Sequence, residues 1–228
     1  MRVALFKIHQ NIWGIMNKET TRLIFLRHGQ SLGNLKRRLL GHTNLDLSEL
    51  GYIQAEQAAV ALKDEHIDYI YSSNLIRAYN TAKAHEKYHN LKVIPDPGFR
   101  EIFLGDWENI DANELIGNND SAYLIDFRQR FGYFKAPNGE SSSELADRIY
   151  AHTLTVAARH PGKTLLIGCH AAAIRMLFAR ILGYDREKTS NDLPFPDNAS
   201  FSVCEFDGER FSVIEYSNAR HISTPTTL

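Results

Sequence analysis

Apolar positions along the chain fall into short runs separated by longer stretches in which they recur every three to four residues. Leu23-Ile24-Phe25-Leu26 is too short for a globular helix and is flanked by polar residues and turn formers, so it reads as a buried strand. Asp46 or Ser48 opens a helix with Glu49 in its first turn. Ile53, Ala55, Ala58, Ala59 and Leu62 supply its apolar face to about Lys63. A second strand is expected at 69–71, and Ser72, Ser73 or Asn74 caps a helix running through Arg77 and Thr81 to about Tyr88. A third strand at 91–94 is closed by Pro95 and Pro97. Strand, helix, strand, helix, strand is the pattern of a parallel sheet with right-handed crossovers.

The second half completes the pattern. Residues 99–140 are less regular and rich in aromatics and glycine, with a short helical piece near 112–116, and they read as an insertion over the sheet edge. Ser142 or Ser143 caps a long helix over 144–159, ended by Pro161-Gly162. A strand at 164–168 and a helix at 171–182 follow. Two alternating stretches, 201–206 and 210–216, flank Asp207-Gly208, a strong hairpin signal. The expectation is an α/β three-layer α/β/α sandwich with a mostly parallel, doubly wound sheet and a C-terminal hairpin. Residues 1–20 read as an N-terminal extension, the first fifteen being dispensable or the product of an upstream start. Residues 21–228 read as one domain, with an insertion or lid at about 102–140.

Composition narrows the partners more than the chemistry. A net charge of −1 gives no reason to expect nucleic acid, and no apolar stretch approaches the roughly 20 residues of a membrane span. The two cysteines, Cys169 and Cys204, each sit in an expected core strand, which fits a reducing, cytoplasmic setting without disulfides. The first fifteen residues lack a continuous apolar core and a cleavage site, so no secretory signal is expected. Oligomeric state is open, a homo-oligomer included.

Four stretches recur at one structural position, the C-terminal end of a strand or the helix start after it. They are Arg27-His28, Ser72-Ser73 with Arg77, Arg100-Glu101 and Cys169-His170. A doubly wound sheet gathers all four at one edge, where ligands bind. Arginine forks match the oxygens of a phosphoryl group, and the amino end of the second helix adds backbone donors. A neutral histidine with one ring nitrogen free can attack phosphorus, and a nearby carboxylic acid can protonate the leaving oxygen. Such a cluster needs neither metal nor organic cofactor, and none is expected. His85 and His89 have a metal-compatible spacing but no accompanying carboxylate or cysteine.

Arg27-His28-Gly29-Gln30-Ser31, with Asn34 three residues on, resembles the signature of the histidine phosphatase (phosphoglycerate mutase-like) superfamily. SSNLIRAYNTA, REIFLGDWE and LLIGCHAAAIR match further motifs in the same order, with LDLSELGYIQA, PNGESSSE and NASFSV as lesser matches, from about Thr21 to Tyr216. The resemblance implies a phosphohistidine-forming His28, phosphate-binding Arg27 and Arg77, a general acid at Glu101 and a second histidine at His170. It also implies substrate contacts from Gln30, Ser31 and Asn34, and one antiparallel strand in the sheet. His42 stands where the family has a tryptophan, Ala171 and Ala172 replace two glycines, and Asn109 replaces another, so the departures concern substrate shape. His42 and Ala171 are therefore added to the substrate-binding set.

The function expected is hydrolysis of a small phosphorylated metabolite through a phosphohistidine on His28. Two alternatives remain: phosphoryl transfer of the phosphoglycerate mutase type, and a non-catalytic phospho-ligand-binding protein. Lys36, Arg37 and Arg38 form a basic loop that either is solvated or meets a second charge on the substrate. Phe103, Trp107, Tyr123, Phe127, Phe131, Tyr133 and Phe134 read as a lid over a small molecule, and Arg128, Arg130 and Lys135 as charge in the insertion.

Overall fold

The computed structural model describes residues 19–112, 114, 125–127 and 129–224. The expected extension over 1–15, most of the short helix near 112–116, Tyr123 and Arg128 lie outside these residues. A six-stranded sheet carries the fold. Its strands are β1 (Thr21–Arg27), β3 (Tyr69–Ser72), β4 (Val93–Pro95), β6 (Thr164–Cys169), β7 (Phe201–Phe206) and β8 (Phe211–Asn218), in the order β4-β3-β6-β1-β7-β8. β4, β3, β6 and β1 are parallel, while β7 pairs antiparallel with both β1 and β8. Thus β7 alone runs against the other five strands.

Every second residue of β1 feeds a different core. Leu23 and Phe25 join Leu165, Ile167 and residues of α5 (Ser142–Arg159) and α6 (Ala171–Ile181) on one face. Ile24 and Leu26 join Ile70, Leu166, Val203 and Ala58 on the other, under α2 (Glu49–Ala61) and α3 (Ile76–Lys83). Period-two alternation with both faces apolar is what a sheet covered on both sides requires, and the three-layer α/β/α arrangement follows. The C-terminal hairpin turns through Gly208, whose φ of 90° suits glycine.

Several elements differ from the sequence expectation, each for a local reason. Ser48, not Asp46, caps α2 by accepting from Gly51 N at 3.1 Å, and Ile53 faces solvent, 55% exposed. α3 begins after Leu75, which offers no side-chain cap, and stops at Lys83. A separate turn of helix, α4 (Glu86–His89), follows and ends at left-handed Asn90. Ser141 rather than Ser142 or Ser143 caps α5, because Glu144 reaches back to its backbone and closes a reciprocal capping box. The basic loop holds a short helix, α1 (Leu32–Leu35), and a strand, β2 (Arg38–Leu39), paired with β5 (Ile110–Asp111). That two-residue ladder has no periodicity to announce it.

The aromatic-rich insertion is chiefly core. Trp107, Phe131 and Phe134 are fully buried and pack on α5 and α6, because an insertion lying across a sheet edge must bury its own apolar surface. Phe103 and Tyr133 are exposed instead. Among the described residues, the aromatic of the expected lid that lines the pocket is Phe127.

Candidate active site at the strand ends

The parallel strands end together on one edge. β1 hands over to Arg27 and His28, β3 to Ser73, and β6 to Cys169 and His170. His28 N donates to Cys169 O at 3.1 Å, which extends the β1–β6 ladder into the site. The loop before β7 fastens the other side. Asn198 Nδ2 and Ala199 N both donate to His28 O, at 3.0 and 3.2 Å. Gly29 follows because its backbone meets the amino end of α2: a Cβ there would collide with the Gly51 carbonyl.

The His28 ring is 5% exposed, and its Nδ1 donates to Gly29 O at 2.7 Å. A carbonyl only accepts, so Nδ1 carries the proton and a neutral ring leaves Nε2 with its lone pair. Burial, and after it the charges of Arg77 and Arg27, hold the His28 pKa well below its ordinary value, which keeps the ring neutral. His170 is fully buried, meets the His28 ring edge to face at 5.3 Å, and shares a 2.8 Å hydrogen bond between Nε2 and Ser73 Oγ. Its pKa is likewise held low, by burial first and then by Arg77.

Arg27 and Arg77 are each 1% exposed. Arg27 Nη1 donates to Pro196 O. Arg77 donates from Nη1 to Thr43 O and from Nη2 to Gly41 O, both at 2.8 Å. Burial lowers each guanidinium to about 10, with Glu101 offsetting part of the effect, so both stay charged at neutral pH. The Glu101 carboxylate rests on the amino end of α6, accepting from Ile102 N, Ala172 N and Ala173 N at 2.9–3.1 Å. Glu108 then ties the neighbouring loops together, accepting from His42 N, Thr43 N, Thr43 Oγ1 and Leu104 N.

These groups wall a pocket of about 500 Å³, counting its open mouth. Of the site residues expected from sequence, Arg27, His28, Asn34, Arg77, Glu101 and Ala171 line it. His170 stands directly behind His28. Gln30 and Ser31 do not line the pocket, a correction with a plain cause. Ser31 Oγ caps α1 with Asn34 as its partner, and Gln30 Oε1 accepts from Ser48 Oγ at 2.8 Å. His42 is also off the wall, since its Nε2 donates to Glu101 O at 2.8 Å. The helix whose amino end faces the site is α6 rather than α3, because Asn44 Oδ1 accepts from Ile76 N at 2.7 Å. Pocket residues absent from the expected site set include Arg38, Leu39, Ile102, Leu104, Phe127 and Phe195. Phe195 lies between two prolines in LPFPDNAS, where the only signal was an aromatic held in a rigid turn.

A doubly wound sheet that ends on a neutral imidazole, two buried guanidiniums and a carboxylate defines an enzyme of phosphate-ester chemistry. The comparisons give the family: the chain belongs to the histidine phosphatase superfamily (branch 1), whose profile matches residues 23–219. The uncharacterized phosphatase PhoE of Bacillus subtilis is 31% identical over 204 residues, 89% of this chain and 97% of that protein. Phosphoserine phosphatase 1 of Hydrogenobacter thermophilus is 32% identical over 208 residues, 88% of this chain and 94% of that one. The solved structure of YhfR from Bacillus stearothermophilus superposes with a TM-score of 0.83 at 27% identity, covering 89% of this chain and all of that one. The fold and the enzyme class expected from the sequence are those of its relatives, which are phosphatases and phosphoglycerate mutase-like proteins. Among the described residues no helix is long and apolar enough to cross a membrane.

Proposed function

We propose that the protein hydrolyses a small phosphomonoester in two steps through a phosphohistidine on His28. The observation that carries this reading is the Nδ1–Gly29 hydrogen bond, which leaves Nε2 of a neutral, buried ring free beside two guanidiniums. In the first step Nε2 attacks phosphorus, the ester P–O bond breaks, and Glu101 gives a proton to the leaving oxygen. In the second, water attacks phosphorus, the N–P bond breaks, and Glu101 takes the proton from water.

Charge builds on the three equatorial oxygens in both steps, and Arg27, Arg77 and His170 are the donors nearest to them in role. Arg27 Nε, Arg77 Nε and His170 Nδ1 are buried without a hydrogen-bond partner among the described residues. The two arginine N–H groups, and His170 Nδ1 in the tautomer where Ser73 Oγ donates to Nε2, are buried donors whose desolvation penalty a phosphoryl group relieves. The relatives named above as phosphatases support hydrolysis as the outcome.

The test is phosphate release from p-nitrophenyl phosphate in the presence of EDTA, comparing wild type with His28→Ala, with acid-stable and acid-labile phosphoenzyme measured after a quench. Release that survives the chelator, vanishes in His28→Ala and passes through an acid-labile phosphoenzyme is the result expected. Release that persists in His28→Ala would overturn the assignment, and isomerisation of 3-phosphoglycerate in place of its hydrolysis would overturn the reaction.

A further inference from the structure

The pocket divides sharply into two halves. Its floor holds the charges: Arg27, Arg77, His28 and Glu101. The rest of the lining is chiefly apolar, with Leu39, Ile102, Leu104, Ala172, Phe127 and Phe195, and its polar members are Asn34 and Arg38. Leu39, Ile102, Leu104 and Ala172 are themselves largely buried and belong to the core, so this wall is an extension of the interior and not a mobile flap.

The two phenyl rings are fixed from behind. Phe127 and Phe195 lie 6.1 Å apart with a 30° tilt, too close for a third ring to enter between them, so they present one continuous aromatic surface. Phe131 packs edge-on against both, at 5.7 and 4.9 Å, and the Arg175 guanidinium lies 4.4 Å over Phe195. Arg175 is in turn held by the carbonyls of Thr189 and Ser190 in α7 (Arg186–Asp192). The surface is pre-formed, which favours a rigid apolar ligand over one that must be ordered on binding.

Charge balance points the same way. A phosphoryl dianion is matched by Arg27 and Arg77, and Glu101 and Asp197 already act on Arg27 electrostatically. Among the described residues that line the pocket, Arg38 is the one cation besides Arg27 and Arg77 that could meet a second anionic group. That guanidinium is engaged at an exposed position with Asn109 O beside the β2–β5 ladder. A substrate carboxylate placed here would lose water against leucine and phenylalanine with Glu101 as its neighbour.

Resting on the phosphatase reading above, we infer that the substrate is a phosphate monoester of a compact apolar alcohol, aromatic before aliphatic, with no second acidic group. The aromatic wall holds the alcohol portion while the floor holds the phosphoryl group.

The experiment compares kcat/KM for benzyl phosphate, glycerol 1-phosphate, O-phosphoserine and 3-phosphoglycerate. All four release a primary alcohol, so differences report chiefly the pocket and not leaving-group reactivity. Benzyl phosphate is expected to exceed both acidic esters at least about tenfold, the discrimination a good apolar contact supplies. Phe127→Ser and Phe195→Ser are expected to erode that preference mainly through KM for benzyl phosphate, with glycerol 1-phosphate changed less. O-Phosphoserine or 3-phosphoglycerate turned over as well as benzyl phosphate overturns the inference while leaving the phosphatase reading intact. Turnover of none of the four esters overturns both.

Discussion

Arg148 and Glu140 are joined fork to fork, Nε to Oε1 at 2.7 Å and Nη2 to Oε2 at 3.0 Å. The same guanidinium donates to the carbonyls of Gly98, Arg100 and Glu101 at 3.1–3.3 Å. Glu140 N donates in turn to Phe103 O at 2.8 Å. The backbone on both sides of Glu101 is therefore held from α5 by one planar group.

Arg148→Lys keeps the charge and loses the fork, so it tests position rather than electrostatics. A displacement of about 1 Å at the acid is enough to lower the rate about a hundredfold, and we expect a drop in kcat of about 10- to 100-fold with KM changed little. A kcat within twofold of wild type in a folded variant would show that the clamp does not position Glu101.

Ser73 occupies the corresponding place for the second histidine. Its Oγ is 2.8 Å from His170 Nε2 and also accepts from Leu75 N at 3.3 Å. Removing a partner that fixes an imidazole's tautomer and ring plane typically lowers activity about tenfold or more. Ser73→Ala should lose about tenfold in kcat, and Ser73→Thr, which keeps the hydroxyl, should recover most of it. Equal activity in all three proteins would remove Ser73 from the site.

What the sequence made legible, and what it did not, follows the range of the interactions involved. β1, β6 and the Asp207-Gly208 hairpin were legible because runs of apolar residues and a two-residue turn are local signals. Arg27, His28, Arg77, Glu101 and His170 could be grouped because each sits at or just beyond a strand end, and a parallel sheet brings strand ends together. Arg148 and Phe195 could not be found that way. Their partners lie 47 residues away at Glu101 and 64 residues away at Phe131, set by packing and not by any neighbouring pattern. Gln30 and Ser31 misled because adjacency to His28 does not say which way a side chain turns. Both were drawn into capping and loop contacts at the starts of α1 and α2. The aromatics of the insertion misled because a phenylalanine beside a site and one in the core look alike in sequence.

Gly51 lies in the first turn of α2, where alanine is ordinarily the better helix former by about 1 kcal/mol. Here a Cβ would run into the carbonyl oxygen of Gln30, and neither backbone has a side chain's freedom to move aside. Overpacking of this kind costs about 1–3 kcal/mol or more, which outweighs the propensity gain. Gly51→Ala should therefore destabilise the protein by about 1–2 kcal/mol, lowering Tm by about 2–8 °C. Because Gly29 abuts the same helix turn, activity should fall as well; a Tm equal to or above wild type would show that the contact relaxes freely.

His85 is fully buried between α3 and α4, stacked at 6.2 Å on His89, with neither ring nitrogen hydrogen-bonded among the described residues. Burial, and after it the nearness of His89 and His221, lowers its pKa to about 3. The unfolded chain then binds a proton near pH 6.5 that the folded protein refuses until about pH 3, so between these values stability falls as pH falls. The stability is fully present above pH 6.5. His28 and His170, whose values are also held well below the ordinary one, add slope of the same sign. Each such group contributes up to about 1.4 kcal/mol per pH unit. His85→Leu places an apolar side chain of similar size where no hydrogen bond is lost. Denaturant unfolding at pH 7 and pH 5 should find the variant near wild type at the first and more stable by about 1–2 kcal/mol at the second. A variant with the same pH slope as wild type would mean that the folded protein protonates His85 without penalty.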